Sequence, residues 1–340
     1  MSKMKFIFNL LFLAVFFSAF FSNEAKSFDV DLIATGGPES ASYQFVFDLS
    51  KKWVYNYPEK NLEFRPVKRN DILSRFLLLK DGKVKFAIAP LGLIDNEELI
   101  ANSIKMVSVL WRVYLVPLSP VKTKKYVSYN SHQNWYIPKN SLIIPNMFVE
   151  EEAIIESEDQ STDGLVNESE AKSEEDINTE PEPEVQNVDD SSKEPEPEIQ
   201  SIELSELDPF LEEFESGVFF YEMMGIAWRL DKALNEKLNF LSMTNDFRDR
   251  LLDDLPWLEE YTFGDPKTKR RIKRKTVSFK VALFTRDSVG PETINNILKT
   301  ITKKRNKILP ETYIFKRLIP EHTKKVEKEL LHKAAFDFFY

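Results

Sequence analysis

The residues best suited to chemistry form one short run, Thr35-Gly36-Gly37-Pro38-Glu39-Ser40-Ala41-Ser42-Tyr43. A glycine turn that opens a helix exposes backbone N–H groups, here those of Gly36, Gly37, Glu39 and Ser40, at the positive end of the helix dipole. Thr35, Ser42 and Tyr43 add hydroxyls. Such a donor set suits a carboxylate or a phosphate. The same glycines also serve as a plain strand-to-helix connection, and the run by itself leaves both readings open.

The flanking residues supply the elements that would position this turn. Leu32 and Ile33 before it are β-formers, while Phe45, Leu49 and Trp53 after it recur at the four-residue step of one helix face, with Ser40 and Ser42 as N-cap candidates. Residues 62–67 read as a second strand, which Pro66 places at an edge or a strand end. A helix over 72–79 and a third strand over 84–89 follow. This alternation predicts a parallel sheet with helices on both faces and binding at the carboxyl ends of the strands.

Beyond it, the pattern predicts a helix over 97–105 and two long apolar strands, 106–117 and 276–285. Strands of that length are expected to cross between two sheets and act as a hinge. Leu207, Phe210, Leu211 and Phe214 make a helix face; further helices are expected over 231–238, 247–255 and 291–308, with a strand over 238–243. Val326, Leu330, Ala334 and Phe338 predict a C-terminal helix with a packing stripe.

Composition narrows the function. The chain of 340 residues has no cysteine, so disulfides, thiolate nucleophiles and cysteine metal sites are excluded. Its three histidines, His132, His322 and His332, show no ligand spacing, the last two standing about ten residues apart. No triad, metal set or nucleotide motif indicates an enzyme, and no cofactor is implied. Lys3 and Lys5, the apolar run 6–21 and Ala25-Lys26-Ser27 read as a signal peptide cleaved after Ser27, with an uncleaved anchor as the alternative. A periplasmic location follows.

Residues 150–204 are strongly acidic, poor in aromatic residues and carry the repeat EPEPEVQ and EPEPEIQ. Such a stretch cannot bury enough apolar surface to offset its ordering entropy, so a disordered acidic insert is expected, as a spacer or an interaction segment. The whole chain has a net charge of −9; an insert of about −20 leaves about +11 on the rest. Much of that lies in residues 267–275, KTKRRIKRK. Secretion argues against a nucleic-acid partner. A solvated strand edge, or contact with the insert or another anionic surface, remains for the basic run.

Four stretches together resemble the solute-binding proteins of the TAXI branch of TRAP transporters. Thr35 to Pro38 with Tyr43 is similar to that family's first strand-turn-helix, residues 77–89 to its helix, turn and strand, and residues 106–116 to the strand entering the second lobe. Residues 214–227 and 276–282 are similar to its later part. The resemblance implies an α/β, two-lobed, type II periplasmic-binding-protein-like fold, with lobe 1 from 28–113 and 283–340 and lobe 2 from 114–149 and 205–282. It also implies capture of a small anionic solute, a carboxylate or acidic amino acid, for TRAP-type permease subunits.

On that reading Arg75 would grip the carboxylate from the second helix, and Trp135, Tyr136 and Tyr221 would face it from the other lobe. The chain departs from the family at Ser40, Ser42, Asp71, Ile72, Arg75, Pro90 and Gly92. The alternative is therefore a receptor-like scaffold that has lost transport and binds another envelope protein through the acidic insert or the basic run.

Overall fold

A computed structural model describes residues 29–38, 40–60, 62–69, 71–120, 124–129, 134–138, 199–202, 209–210, 213–224, 238–268, 270–302 and 312–340. The apolar stretch 6–21, Glu39, His132, residues 231–237 of the expected helix 231–238 and the insert from 150 to 198 lie outside them.

The first half follows the expected alternation. Strand β1 (Asp29–Thr35) leads through the glycine turn into α1 (Ala41–Asn56), then β2 (Leu62–Lys68), α2 (Ile72–Lys80) and β3 (Phe86–Pro90). β1 pairs in parallel with β2 on one side and with β3 on the other, so β2 is the edge strand and its Pro66 costs no ladder bond to a further neighbour. Residues 84 and 85 stay outside β3; Lys85 N instead donates to Leu32 O at 2.9 Å. α3 (Asn96–Ala101) is shorter than expected, because Ile104 already enters the long strand β4 (Ile104–Ser119).

β4 and β12 (Lys273–Arg286) are the two long strands, and they run antiparallel from Arg286↔Ile104 to Ser278↔Tyr114. The expectation that they leave one sheet for another is corrected: their ladder shifts register at two bulges but never breaks, so both halves share one sheet. Among the described residues that sheet has ten strands, in the order β2-β1-β3-β12-β4-β8-β6-β7, with β11 (Glu259–Gly264) on β12 and β9 (Asn239–Phe240) on β4. β6 is Trp135–Pro138, β7 is Ile199–Ile202 and β8 is Val218–Met224. The fold is α/β: helices lie on both faces of this one mixed sheet.

Three further expectations are corrected. Residues 199–202 belong to the sheet as β7 rather than to a disordered insert: they pair in parallel with β6, and Ile202 is buried. The strand expected over 238–243 divides: β9 joins the main sheet, whereas β10 (Ser242–Met243) pairs with β5 (Tyr126–Val127). The C-terminal stripe is not one helix. 3₁₀ turns at Pro320–Lys325 and Lys328–Leu330 precede a short α6 (Lys333–Phe339). Their extended connections follow the open edge of β4, where Ile319 N donates to Leu110 O at 2.7 Å and His332 N to Met106 O at 2.9 Å. Edge capping thus wins over helical periodicity. α4 (Asn245–Asp254) and α5 (Pro291–Thr302) complete the described helices.

The core divides unevenly between the two faces of the sheet. On one face Ile33, Phe86, Ile88, Val281 and Leu283 pack under α1, and the same cluster continues without interruption to Trp111, Phe279, Trp135, Phe220 and Phe247 in the second half. On the other face Ala34, Ala87, Ala89, Ala282 and Phe284 pack under α2, and a separate cluster around Tyr114, Phe219, Phe240 and Phe263 fills the far end.

Candidate functional site

α1 covers one face of the sheet and α2 the other, so the crevice between β1 and β3 is the topological switch point. Ligands of open α/β sheets bind in such crevices, at the carboxyl ends of the strands. The Gly36–Gly37 turn lies there. So does Arg75: its Nε donates to Arg69 O and its Nη1 to Ile88 O, each at 2.8 Å. A β-carbon added to Gly36 would stand 3.4 Å from Arg75 Nη2. The guanidinium therefore bridges the residue after β2 and the middle of β3, and faces the turn after β1. It is 5% exposed, and burial pulls its pKa down to about 10, against the smaller opposing influence of Asp71.

The turn is held by its own side chains. Gly36 N donates to Ser42 Oγ at 3.0 Å, Ser40 N to Gly37 O at 2.9 Å, and Tyr43 N to Ser40 Oγ at 3.2 Å. Thr35 Oγ1 donates to Gly36 O at 3.0 Å. Ser40 is thus the helix N-cap, as its residue type suggests. Gly36 is required for space rather than for a left-handed backbone, since a β-carbon would meet Ser40 Oγ at 2.8 Å. In this arrangement the expected donors at Gly36 and Ser40, and the hydroxyls of Thr35 and Ser42, are engaged internally. Tyr43 is half-buried and packs against the exposed ring of Phe47.

The three aromatic residues expected from the other lobe do not converge on this crevice. Trp135 and Tyr136 are neighbours on β6 and therefore point to opposite faces. Trp135 is wholly buried, edge-on to Phe220 at 5.0 Å and 5.3 Å from Phe247. Tyr136 packs on Phe210 and Phe214 across the other face, where Gly217 leaves room for its ring. Tyr221 lies on that face too, beside Phe219, and burial raises its hydroxyl pKa.

A second concentration of charge, not anticipated from the sequence, lies at the β4–β12 crossing. Arg112 and Lys280 stand opposite each other in the ladder, and Glu259 of β11 contacts both, at 2.9 Å from Arg112 Nη2. Arg112 Nη1 donates to Ser278 Oγ at 2.6 Å, and the guanidinium lies over the ring of Tyr261. Burial pulls the Glu259 carboxyl upward, but its bonds to Lys280 and Arg112 and their charges leave it lowered. The available signal was a single cation inside each apolar run, LWRVYL and SFKVAL.

The histidines are structural or isolated. His332 caps α6 through Nδ1, which accepts from Ala334 N, and its Nε2 reaches Val289 O at 3.1 Å. Among the described residues no group of histidine, aspartate and glutamate side chains could hold a metal ion.

No protein-family model matches the chain, and no curated protein does. Among solved structures, the chain is similar to the regulatory domain of MetR, a LysR family regulator from N. meningitidis, at 12% identity, over 80% of this chain and 92% of that one, with a TM-score of 0.43. It is similar to the reduced OxyR regulatory domain from Pseudomonas aeruginosa at 9% identity (81% and 98% covered, TM-score 0.40). It is also similar to the substrate-binding protein of an amino acid ABC transporter at 9% identity (81% and 92% covered, TM-score 0.37). These are distant likenesses of fold.

Proposed function

We propose that the chain is an extracytoplasmic solute receptor that captures a small carboxylate or acidic amino acid and delivers it to a membrane permease of the TRAP type. The observation that carries this reading is the Arg75 guanidinium, buried in the switch-point crevice and facing the Gly36 turn. A cation kept in low dielectric costs solvation energy, and an anion brought beside it recovers part of that cost. The solute carboxylate would enter against the turn and take donors from Ser42 and the helix N-terminus as the internal bonds exchange.

Thermal-shift screening of the full chain against dicarboxylates, keto acids and acidic amino acids tests the reading. A ligand at a hundred times its Kd adds about 2.7 kcal/mol, a shift of several degrees. The shift should fall strongly in Arg75→Lys, which keeps the charge but loses the planar fork. A second reading, a scaffold that binds another envelope protein, is favoured by the internal satisfaction of the turn. Absence of any shift across the panel would support it instead.

A further inference from the structure

Single exposed leucines are ordinary on a protein surface, but α2 sets two of them one turn apart beside a recess. Leu73 and Leu77 are 59% and 57% exposed, the highest values of any aliphatic side chain among the described residues, and Lys80 continues the same stripe. They form one wall of a groove of about 210 Å³, and the end of α3, with Glu98 and Asn102, forms the other. The floor is core: Phe76, Leu99 and Ile104 are at most 5% exposed, and Phe76 is fixed edge-on to Phe284 at 5.1 Å. The depth of the groove is therefore built into the fold. Lys80 and Glu98 stand on it with opposite charge, both exposed, and neither is engaged in an ion pair among the described residues.

We propose that this groove is the contact surface for a second copy of the chain, joined across a two-fold axis so that Leu73 and Leu77 of each copy fill the groove of the other. A two-fold interface uses one patch twice, so the patch must be its own complement. This one is. It carries protruding leucines beside a recess, and an unpaired cation beside an unpaired carboxylate. Lys80 of one copy then meets the partner's Glu98, and the same contact recurs on the other side of the axis. A partner with charge of a single sign would leave one of the two unmatched. The pairing holds from outside the helix that carries Arg75 on its buried side, and it requires no solute.

Sedimentation equilibrium of the full chain, over a micromolar concentration series at low salt, tests the pairing. A monomer–dimer equilibrium is expected. Leu77→Glu should weaken it by about tenfold or more, because the substitution acts twice across the axis. The variant's Tm at low concentration should equal the parent's, since Leu77 is exposed. Lys80→Glu and Glu98→Lys should each weaken association by about tenfold, by setting like charges against each other, and the two together should restore it. A parent that stays monomeric throughout the series overturns the proposal. So does a dimer that Leu77→Glu leaves intact, which would put association on another surface such as the apolar run 6–21. Single charge reversals that associate like the parent, or a double reversal no stronger than either single one, also overturn it, because the two charges then do not meet.

Discussion

Trp257 rests on Gly92: a β-carbon at Gly92 would lie 2.9 Å from Cβ of Trp257, so the loop after β3 and the turn before β11 meet where any side chain would hold them apart. Gly92 also has φ of +87°, a conformation that L-residues adopt only with strain. Gly92→Ala should cost about 2 to 3 kcal/mol, from strain and overpacking together. Urea denaturation checks it. A loss below about 0.5 kcal/mol would mean that the loop and Trp257 separate freely.

The Arg112–Glu259–Lys280 cluster makes stability depend on acid. A carboxyl whose folded pKa is lowered contributes stability above its unfolded value, and that contribution is lost as pH falls through the folded pKa. The unfolded reference is 4.5, so the loss begins near there and continues below. Glu259→Gln should lower stability by about 1 kcal/mol at neutral pH, a figure reduced because the carboxylate is 41% exposed. The difference between variant and parent should shrink as pH falls below 4. Equal Tm differences at pH 7 and pH 3 would contradict the assignment.

Trp135→Ala should cost about 3 to 5 kcal/mol, because the indole is wholly buried against Phe220 and Phe247. Any solute shift measured at a temperature where the variant remains folded should be unchanged. A selective loss of solute binding with stability intact would return Trp135 to the ligand site.

The described part of the basic run, residues 267–268 and 270–275, lies in the connection from β11 to β12 and in the start of β12. Asp265, 2% exposed, accepts two bonds from Arg274, at 3.1 Å and 2.8 Å, and one from Lys267 N at 2.9 Å. Asp265→Ala strands the largely buried Arg274 and should cost about 3 kcal/mol. Limited trypsin digestion should then cut first at Arg270 or Arg271. An unchanged digestion pattern would show that the connection holds without this anchor.

The order of elements was legible where hydrophobic period and turn chemistry agreed, as in β1, α1 and α2, and in the long runs that became β4 and β12. The candidate site was legible only in part. Thr35 to Ser42 and Arg75 do share one crevice, but periodicity does not reveal that Ser42 would take up the Gly36 N–H. Trp135 and Tyr136 are neighbours in sequence, but a strand separates adjacent side chains onto opposite faces, so they cannot line one site together. The 3₁₀ turns before α6 were hidden because Val326, Leu330, Ala334 and Phe338 fit a helical stripe, and only the open edge of β4 explains the extended route taken. Arg112 and Lys280 needed the ladder register to be seen as partners.

The position of β12 sets the timing of folding. It lies between β3 and β4 in the sheet, yet it is made after every other described strand. Until residues 273–286 emerge, β3 and β4 have no shared neighbour, and each presents an unpaired apolar edge. Joining them requires closure of very long loops, which slows folding and lengthens exposure of those edges to other chains. A chain released before β12 would be an aggregation hazard rather than a smaller domain.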